Sequence, residues 1–235
     1  MVANEGLRSR LAAAVAAHDT LKHPYYQAWS MGRLTLSDLR AYAAQYLHQI
    51  EALPGLIAAA ALNTKDTETR IALERNLAEE EGRLAATVGE ACSHRELWLR
   101  FGQALGATRE ALSAHAEPET RAAAESLRAI AAEGDVEALA SLWAYEAQTA
   151  RVAAEKRRGL REQYGVTDAR ALQFFALHET LDVHHAEDLL AAVDRACAKA
   201  GKGAVDRACA AATGSARAQW QFLDGVERTR TALAA

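Results

Sequence analysis

Proline is the residue that most strongly ends a helix, and it occurs only three times in this 235-residue chain, at Pro24, Pro54 and Pro118. The stretches between the prolines are rich in alanine, leucine, glutamate and arginine, which are the best helix formers. Short breaks marked by glycine, proline or polar residues lie near 23–24, 31–33, 63–65, 89–93, 106, 117–118, 134–135, 164–166 and 201–203. The sequence therefore predicts an all-α protein of about seven to nine helices.

The breaks are too short to be linkers, so we expect one domain over residues 1–235. Two helix starts are marked by local chemistry. Thr35 followed by Asp38 resembles a capping box, and Pro118 suits a first helical position.

The charge and hydropathy patterns exclude several classes of protein. The net charge is -4 with acidic and basic residues interleaved, which leaves no basic stripe for nucleic acid. The mean hydropathy is -0.17, no run of about 18 apolar residues occurs, and the N-terminus shows no signal peptide. The three cysteines form no CxxC pair. We expect a cytoplasmic protein without a membrane span, a disulfide framework or a zinc finger.

The strongest local signal is a run of residues spaced by three or four positions, which places them on one helix face. They are Phe175, His178, Asp182, His185 and Leu189. Phe175 and Leu189 mark this face as buried, and buried polar groups are costly unless they are paired or bind a metal. Histidine and aspartate are ligands of divalent transition metals. The alternative is a His–Asp hydrogen bond that satisfies itself in the core.

Two further apolar helix faces are each interrupted by one glutamate. Glu80 follows Leu73 and Leu77 and precedes Leu84, and its neighbours Glu79 and Glu81 are expected to point elsewhere. Glu146 interrupts a second stripe, which is made of Leu139, Leu142, Trp143, Ala150 and Ala153. Each glutamate alone is compatible with a buried arginine partner or with the edge of a stripe.

His94 begins another helical pattern beside Leu97, Trp98 and Phe101. A solvent-facing histidine at a helix start is the alternative there. Taken together, the helical faces offer six ligands: Glu80, His94, Glu146, His178, Asp182 and His185. This set predicts a pair of iron or manganese ions in a helix-bundle core. The ferritin-like Glu-x-x-His pattern does not occur at the candidate glutamates.

Five segments in order resemble the PqqC, TenA and CADD group of haem-oxygenase-like proteins. They are HPYYQAWSMGRLTLSDLRAYAAQYLHQIEALP (23–54), NLAEEEG (76–82), SHRELWLRF (93–101), YEAQTARVAAEKRRGLREQYG (145–165) and FALHETLDVHHAED (175–188). The resemblance spans about residues 20 to 190. It implies a haem-oxygenase-like bundle and, in its CADD branch, a dinuclear oxygenase that makes p-aminobenzoate, a folate precursor.

The resemblance also implies roles for individual residues. It carries over the same six metal ligands. In that branch a tyrosine of the protein itself supplies the aromatic ring, and Tyr26 matches it. Tyr42 matches a second active-site tyrosine, and Lys156 matches the lysine that donates the amino group. The reaction would use dioxygen and a reductant and would consume the protein in a single turnover.

Three other functions remain open at this stage. A related oxygenase could act on an external amino acid or fatty acid with the same metal ligands. A PqqC-like or TenA-like enzyme would work without metal, although TenA-type hydrolysis needs a pocket cysteine and no cysteine lies on a ligand-bearing stripe. A binding module is the third. The expected partners are dioxygen and a small-molecule substrate, with a homodimer left open and with neither nucleic acid nor membrane.

Overall fold

The computed structural model describes residues 5–84 and 91–233, and within these residues the chain is helical, with no strand. Ten α-helices follow one another: α1 Glu5–Val15, α2 Pro24–Ser30, α3 Leu36–Asn63, α4 Thr67–Glu80, α5 His94–Ala104, α6 Arg109–Leu112, α7 Pro118–Glu133, α8 Asp135–Gln163, α9 Gln173–Ala200 and α10 Ala204–Leu233. The all-α prediction is confirmed. The number of helices within these ranges exceeds the predicted seven to nine because short helices such as α2 and α6 leave little periodicity in the sequence.

The helix ends follow the local chemistry that predicts them. Asp38 N donates to Thr35 Oγ1 at 3.1 Å and Thr35 N donates to Asp38 Oδ2 at 2.7 Å, which forms the predicted capping box at the start of α3. Pro118 is the first residue of α7, and Pro54 lies inside α3. The predicted break at 89–93 falls partly on residues 85–90, which lie outside the described residues.

Helix α8 is the central element of the bundle. It packs against α9 and α10 along much of its length, and also against α7, α3 and α2. The crossing of α2 and α8 is close because residue 159 is glycine: a Cβ there would lie 2.9 Å from Trp29 Cδ1. Trp29 Nε1 donates to the Lys156 carbonyl at 3.2 Å, which fixes α2 against the same turn of α8.

The bundle encloses the end of α4 and the start of α5 against α9. This arrangement brings the ligand-bearing faces of four helices to one region of the core. Among the described residues, no helix is both long enough and apolar enough to cross a bilayer.

Candidate metal centre

The six predicted ligands are all buried and form two groups of three. Cluster A consists of Glu80, His94 and His178, and cluster B consists of Glu146, Asp182 and His185. Within each cluster, one potential ligand atom from each residue lies within 4.8 Å of the others. Glu80 is the last residue of α4 and His94 the first of α5, whereas Glu146 is on α8 and the remaining three residues are on α9.

In cluster A, a ring nitrogen and a carboxylate oxygen lie close together without forming a hydrogen bond. His94 Nδ1 lies 2.7 Å from Glu80 Oε2, yet neither His94 nitrogen has a hydrogen-bond partner. His94 is 1% exposed, so it does not face solvent. His178 Nδ1 lies 2.7 Å from the Phe174 carbonyl oxygen, and because a carbonyl only accepts, this nitrogen carries the proton. The Nε2 atom of His178 is therefore the one left to bind a metal.

In cluster B, two neighbouring side chains form hydrogen bonds with the predicted ligands. Asn76 Nδ2 donates to Glu146 Oε1 at 2.9 Å, and Glu146 Oε2 has no hydrogen-bond partner. His185 Nδ1 lies 3.2 Å from Glu146 Oε2 and 3.6 Å from Asp182 Oδ1, and it too has no hydrogen-bond partner. The other ring nitrogen, Nε2, lies 2.7 Å from Glu79 Oε2. The unpaired atoms of Glu146 and His185 thus face one another.

The protein electrostatics around both clusters also indicate a cation. Burial raises the pKa of Glu80 to about 7 and lowers the pKa of His94 to about 4. Burial opposes the protonated form of His185 as well, but the adjacent carboxylates of Asp182, Glu146 and Glu79 outweigh it and raise the pKa of His185 to about 12. These carboxylates thus favour a positive charge at the place of the His185 ring, next to Glu146 and Asp182, which is where cluster B would hold a metal cation.

These residues fit a dinuclear metal centre. Each cluster contains buried nitrogen and oxygen atoms that have no hydrogen-bond partner. Burying such an atom costs on the order of several kcal/mol of folding free energy unless it binds an ion. Imidazole and carboxylate ligands suit iron and manganese. A His–Asp hydrogen bond that satisfies itself in the core does not account for this site, because His178 Nδ1 bonds to the Phe174 carbonyl and His185 Nδ1, 3.6 Å from Asp182 Oδ1, has no hydrogen-bond partner.

Two expectations about α4 are wrong. Glu79, expected to point away from Glu80, is buried and bonded to His185. The reason is that α4 ends at Glu80, so its last turn lies against α9 and adjacent positions reach different sides of the centre. Leu84 lies beyond the helix end and is exposed, so it does not continue the apolar stripe.

Asn76 is a further residue of the site that the helical stripes do not single out, although the sequence contains a signal for it. Asn76 precedes Glu80 by four positions and therefore lies on the same face of α4. That position predicts a buried polar residue beside the site, but its hydrogen-bond partner is Glu146 on α8 and not Glu80. No comparable signal identifies Glu79, because it is adjacent to Glu80 and so falls outside the three- or four-residue spacing of that face.

Tyr26, Tyr42 and Lys156 form a second buried group. Lys156 Nζ donates to Tyr42 Oη at 2.5 Å, and Tyr42 Oη lies 2.8 Å from Tyr26 Oη. The same nitrogen lies 4.4 Å from the centre of the Tyr26 ring. Lys156 is 4% exposed, so it is not on a solvated helix face. Burial lowers the pKa of Lys156 well below its usual value and raises those of Tyr26 and Tyr42 well above theirs.

Two adjoining cavities connect this group with the metal ligands. One is lined by Tyr26 and Lys156, and the other by Glu80, Glu146, His178 and Asp182. Four residues line both cavities: Tyr46, Tyr145, Thr149 and Phe174. The three cysteines, all within the described residues, line neither cavity, which does not favour a cysteine nucleophile.

Comparisons with known proteins identify the family to which the chain belongs. A family model described as an iron-containing redox enzyme matches residues 40–220. A 4-aminobenzoate synthase of Nitrosomonas europaea is 33% identical over 237 residues, covering 96% of this chain and 92% of that protein. A 4-aminobenzoate synthase of Chlamydia trachomatis is 36% identical over 176 residues, covering 74% and 73%.

The fold is shared with solved structures at low sequence identity. The crystal structure of a TenA homolog from Pseudomonas syringae matches with a TM-score of 0.79 at 17% identity, covering 94% of this chain and 93% of that one. The resemblance stated from the sequence motifs is confirmed. The chain belongs to the iron-containing redox enzymes of the haem-oxygenase-like fold.

Proposed function

We propose that this protein is a 4-aminobenzoate synthase that makes its product from its own Tyr26, with Lys156 as the source of the amino nitrogen. The reaction takes place next to two ions of iron or manganese held by clusters A and B. Curated relatives named 4-aminobenzoate synthase support the product, and the arrangement of Tyr26, Tyr42 and Lys156 supports the internal substrate.

The carbon skeleton of tyrosine matches the product. The ring and Cβ of Tyr26 supply seven carbons, which is the number in 4-aminobenzoate, and the phenol oxygen occupies the para position that carries nitrogen in the product. The proposed reaction breaks the Cα–Cβ bond and the ring C–O bond of Tyr26. Nζ of Lys156 condenses with the oxidised ring carbon, which forms the ring C–N bond and releases the phenol oxygen as water. Hydrolysis of the Nζ–Cε bond then leaves Cε of Lys156 as an aldehyde, and dioxygen oxidises Cβ to the carboxyl carbon.

The observation that carries the proposal is the placement of Lys156 Nζ. It lies 4.4 Å from the centre of the Tyr26 ring and donates to a phenol rather than to a carboxylate. Because burial lowers its pKa, the neutral amine predominates over a wider pH range than for an exposed lysine. A neutral amine has the lone pair that attack on an oxidised ring needs.

The surrounding residues position the reactants and exclude water. Tyr42 bridges the two reacting groups, because its Oη accepts from Lys156 and shares a hydrogen bond with Tyr26. Tyr46 stacks on Tyr42 at 5.4 Å between ring centres, and its own ring lies 4.7 Å from Lys156 Nζ. When bound, the metal pair supplies the redox chemistry by which dioxygen, with an external reductant, oxidises the ring. A chain that consumes its own tyrosine forms at most one product molecule.

The test is isotope transfer from the protein into the product. Protein carrying ring-labelled tyrosine and ¹⁵N-lysine, loaded with iron and manganese and given reductant and oxygen, should release 4-aminobenzoate with both labels. Mass spectrometry should find a loss confined to the peptides that contain Tyr26 and Lys156. Unlabelled product formed over many turnovers would favour an oxygenase with an external substrate.

Matched variants separate reacting residues from their neighbours. Tyr26→Phe should abolish the product while both metals remain bound. Lys156→Arg should block amination, because a guanidinium is a poor nitrogen donor. Tyr25→Phe is the control: Tyr25 is equally buried, but its hydroxyl donates to the Asp38 carbonyl at 3.1 Å and takes no part in the Tyr26 group. This variant should retain product formation.

A further inference from the structure

The cavity beside Tyr26 contains a buried amide donor that has no partner. Gln148, on α8, is 3% exposed and lines this cavity together with Tyr26 and Lys156. Its Oε1 accepts from Thr20 N at 2.9 Å and from Thr20 Oγ1 at 3.3 Å. Its Nε2 has no hydrogen-bond partner.

The orientation of this amide is fixed by chemistry. A backbone N–H can only donate, so the atom of Gln148 that faces Thr20 N must be the oxygen. Rotating the amide by 180° would place two donors against each other. The NH₂ group of Gln148 is therefore the end of the amide that is available to a ligand in the cavity. A buried donor without an acceptor is costly, so this group favours a ligand with an acceptor atom.

The cavity is lined by two polar groups that are well separated along α8 and by apolar side chains. Gln148 and Lys156 are eight residues apart on α8, which is about 12 Å along the helix axis. Val152 lies between them on the helix, and Phe175 and Phe222 also line the cavity. Once the Tyr26 ring has left, a lining of this kind suits a flat ring that carries one polar group at each end.

We propose that the Gln148 amide binds the carboxylate of a small para-substituted aromatic acid in this cavity. In the reaction proposed above, on which the identity of the ligand rests, that acid is 4-aminobenzoate. Tyr42 holds Oη of Tyr26, so the ring carbon bearing the future carboxyl group lies at the opposite end of the ring. Once the ring leaves the backbone, the space it occupied adds to the cavity.

A neutral amide suits a product that must leave. In a buried site, arginine or lysine would bind the carboxylate by a hydrogen bond between two charged groups. An amide donor is neutral, so its hydrogen bond to the carboxylate is weaker and the product leaves more readily. Gln219 Nε2 lines the same cavity and also lacks a partner, so it is available as a second donor of the same neutral kind.

The experiment measures ligand binding without requiring any turnover. Tyr26→Ala removes the ring and leaves a hole of its size, so added 4-aminobenzoate should bind to this metal-loaded variant more tightly than to the wild-type protein. Isothermal titration calorimetry gives the Kd for 4-aminobenzoate, and ligand-observed NMR gives the Kd for aniline, which lacks the carboxylate.

Adding Gln148→Met to Tyr26→Ala should raise the Kd of 4-aminobenzoate about tenfold or more, or about 1.4 kcal/mol, and leave that of aniline within about twofold. Gln49→Met is the matched control. Gln49 lines the same cavity, but its Nε2 already donates to the Thr120 carbonyl at 3.5 Å, so neither Kd should change. If Gln148→Met does not fold, Gln148→Glu keeps an acceptor for Thr20 and repels the carboxylate, with the same selective result.

Equal effects of the Gln148 substitutions on both ligands, or no effect on either, would overturn the proposal, and the amide would then hold only a structural water. Because Tyr26→Ala cannot form product, this result is independent of the proposed synthase reaction. A wild-type protein that makes no 4-aminobenzoate would refute that reaction, while a carboxylate-selective effect of Gln148 would still establish the binding site.

Discussion

Glu79 Oε2 lies 2.7 Å from His185 Nε2, on the side of the imidazole ring opposite to cluster B. The other carboxylate oxygen of Glu79 accepts from Arg75 Nε at 3.3 Å. With Nε2 committed to Glu79, Nδ1 of His185 is the ring nitrogen left to face Glu146 and Asp182. A carboxylate that accepts from the far nitrogen of a metal-binding histidine fixes its tautomer and makes it a stronger ligand.

Glu79→Leu should therefore weaken metal binding at cluster B. We expect an affinity about 10- to 100-fold lower for one of the two ions, because His185 loses the group that orients it. Glu79→Gln should have a smaller effect, since its amide oxygen still accepts a hydrogen bond but lacks the charge. Chelator competition followed by elemental analysis measures both.

Glu81→Gln is the matched control for this prediction. Glu81 is also at the end of α4, but it is partly exposed and accepts from Arg83 Nε at 2.6 Å. Its substitution should leave both ions bound. If Glu79→Leu keeps the wild-type affinity for both ions, His185 is oriented by cluster B alone.

The two clusters also predict how the metal content responds to the loss of a ligand. His178 belongs to cluster A and Asp182 to cluster B. His178→Ala and Asp182→Ala should each reduce the content from about two ions per chain to about one, with helicity largely retained. His184→Ala is the control, since His184 is adjacent to His185 but exposed. Full occupancy in either ligand variant would remove that residue from the ligand set.

The sequence predicts the fold and much of the site because both depend on local periodicity. A helical face is defined by residues three or four positions apart, so His178, Asp182 and His185 can be grouped without any structure. The capping box at Thr35 is equally local. The resemblance adds Tyr26, Tyr42 and Lys156, which no periodicity marks as reactive.

Side-chain partners that lie on different helices cannot be predicted from the local sequence pattern. Glu79 and His185 are separated by 106 residues, and Gln148 and Thr20 by 128. The division of the six ligands into two clusters also depends on where α4 ends and how α5 and α9 pack against it. Such pairings are fixed by tertiary packing rather than by the local pattern.

Tyr42 should control how efficiently Lys156 meets the Tyr26 ring. Tyr42→Phe removes the hydroxyl that bridges Lys156 Nζ and Tyr26 Oη and keeps the buried ring. We expect product formation to slow by about tenfold, which is the loss of roughly one hydrogen bond, while both ions stay bound. Rapid quench with product analysis measures the rate. An unchanged rate would show that the ring contact of Lys156 suffices without the bridge.

The depressed pKa of Lys156 also predicts how stability depends on pH. Burial moves the pKa of this amine well below 10.5, so between the folded and unfolded pKa values the unfolded chain binds more protons than the folded chain. The free energy of unfolding contributed by Lys156 therefore rises with pH through this window, with a slope of up to about 1.4 kcal/mol per pH unit. Below the folded pKa the penalty is largest, and above 10.5 it vanishes.

Lys156→Met removes this titration and retains an apolar side chain of similar length. The variant should be more stable than the wild-type protein at pH 7, and its advantage should shrink as the pH approaches 10.5. Urea unfolding at several pH values from 7 to 10 gives the free energy of unfolding of both proteins, each loaded equally with metal. The titrations of groups that the two proteins share cancel in the difference. A difference that stays constant over the whole range would mean that Lys156 is protonated in the folded protein. The amine would then lack the lone pair that the proposed nitrogen transfer requires.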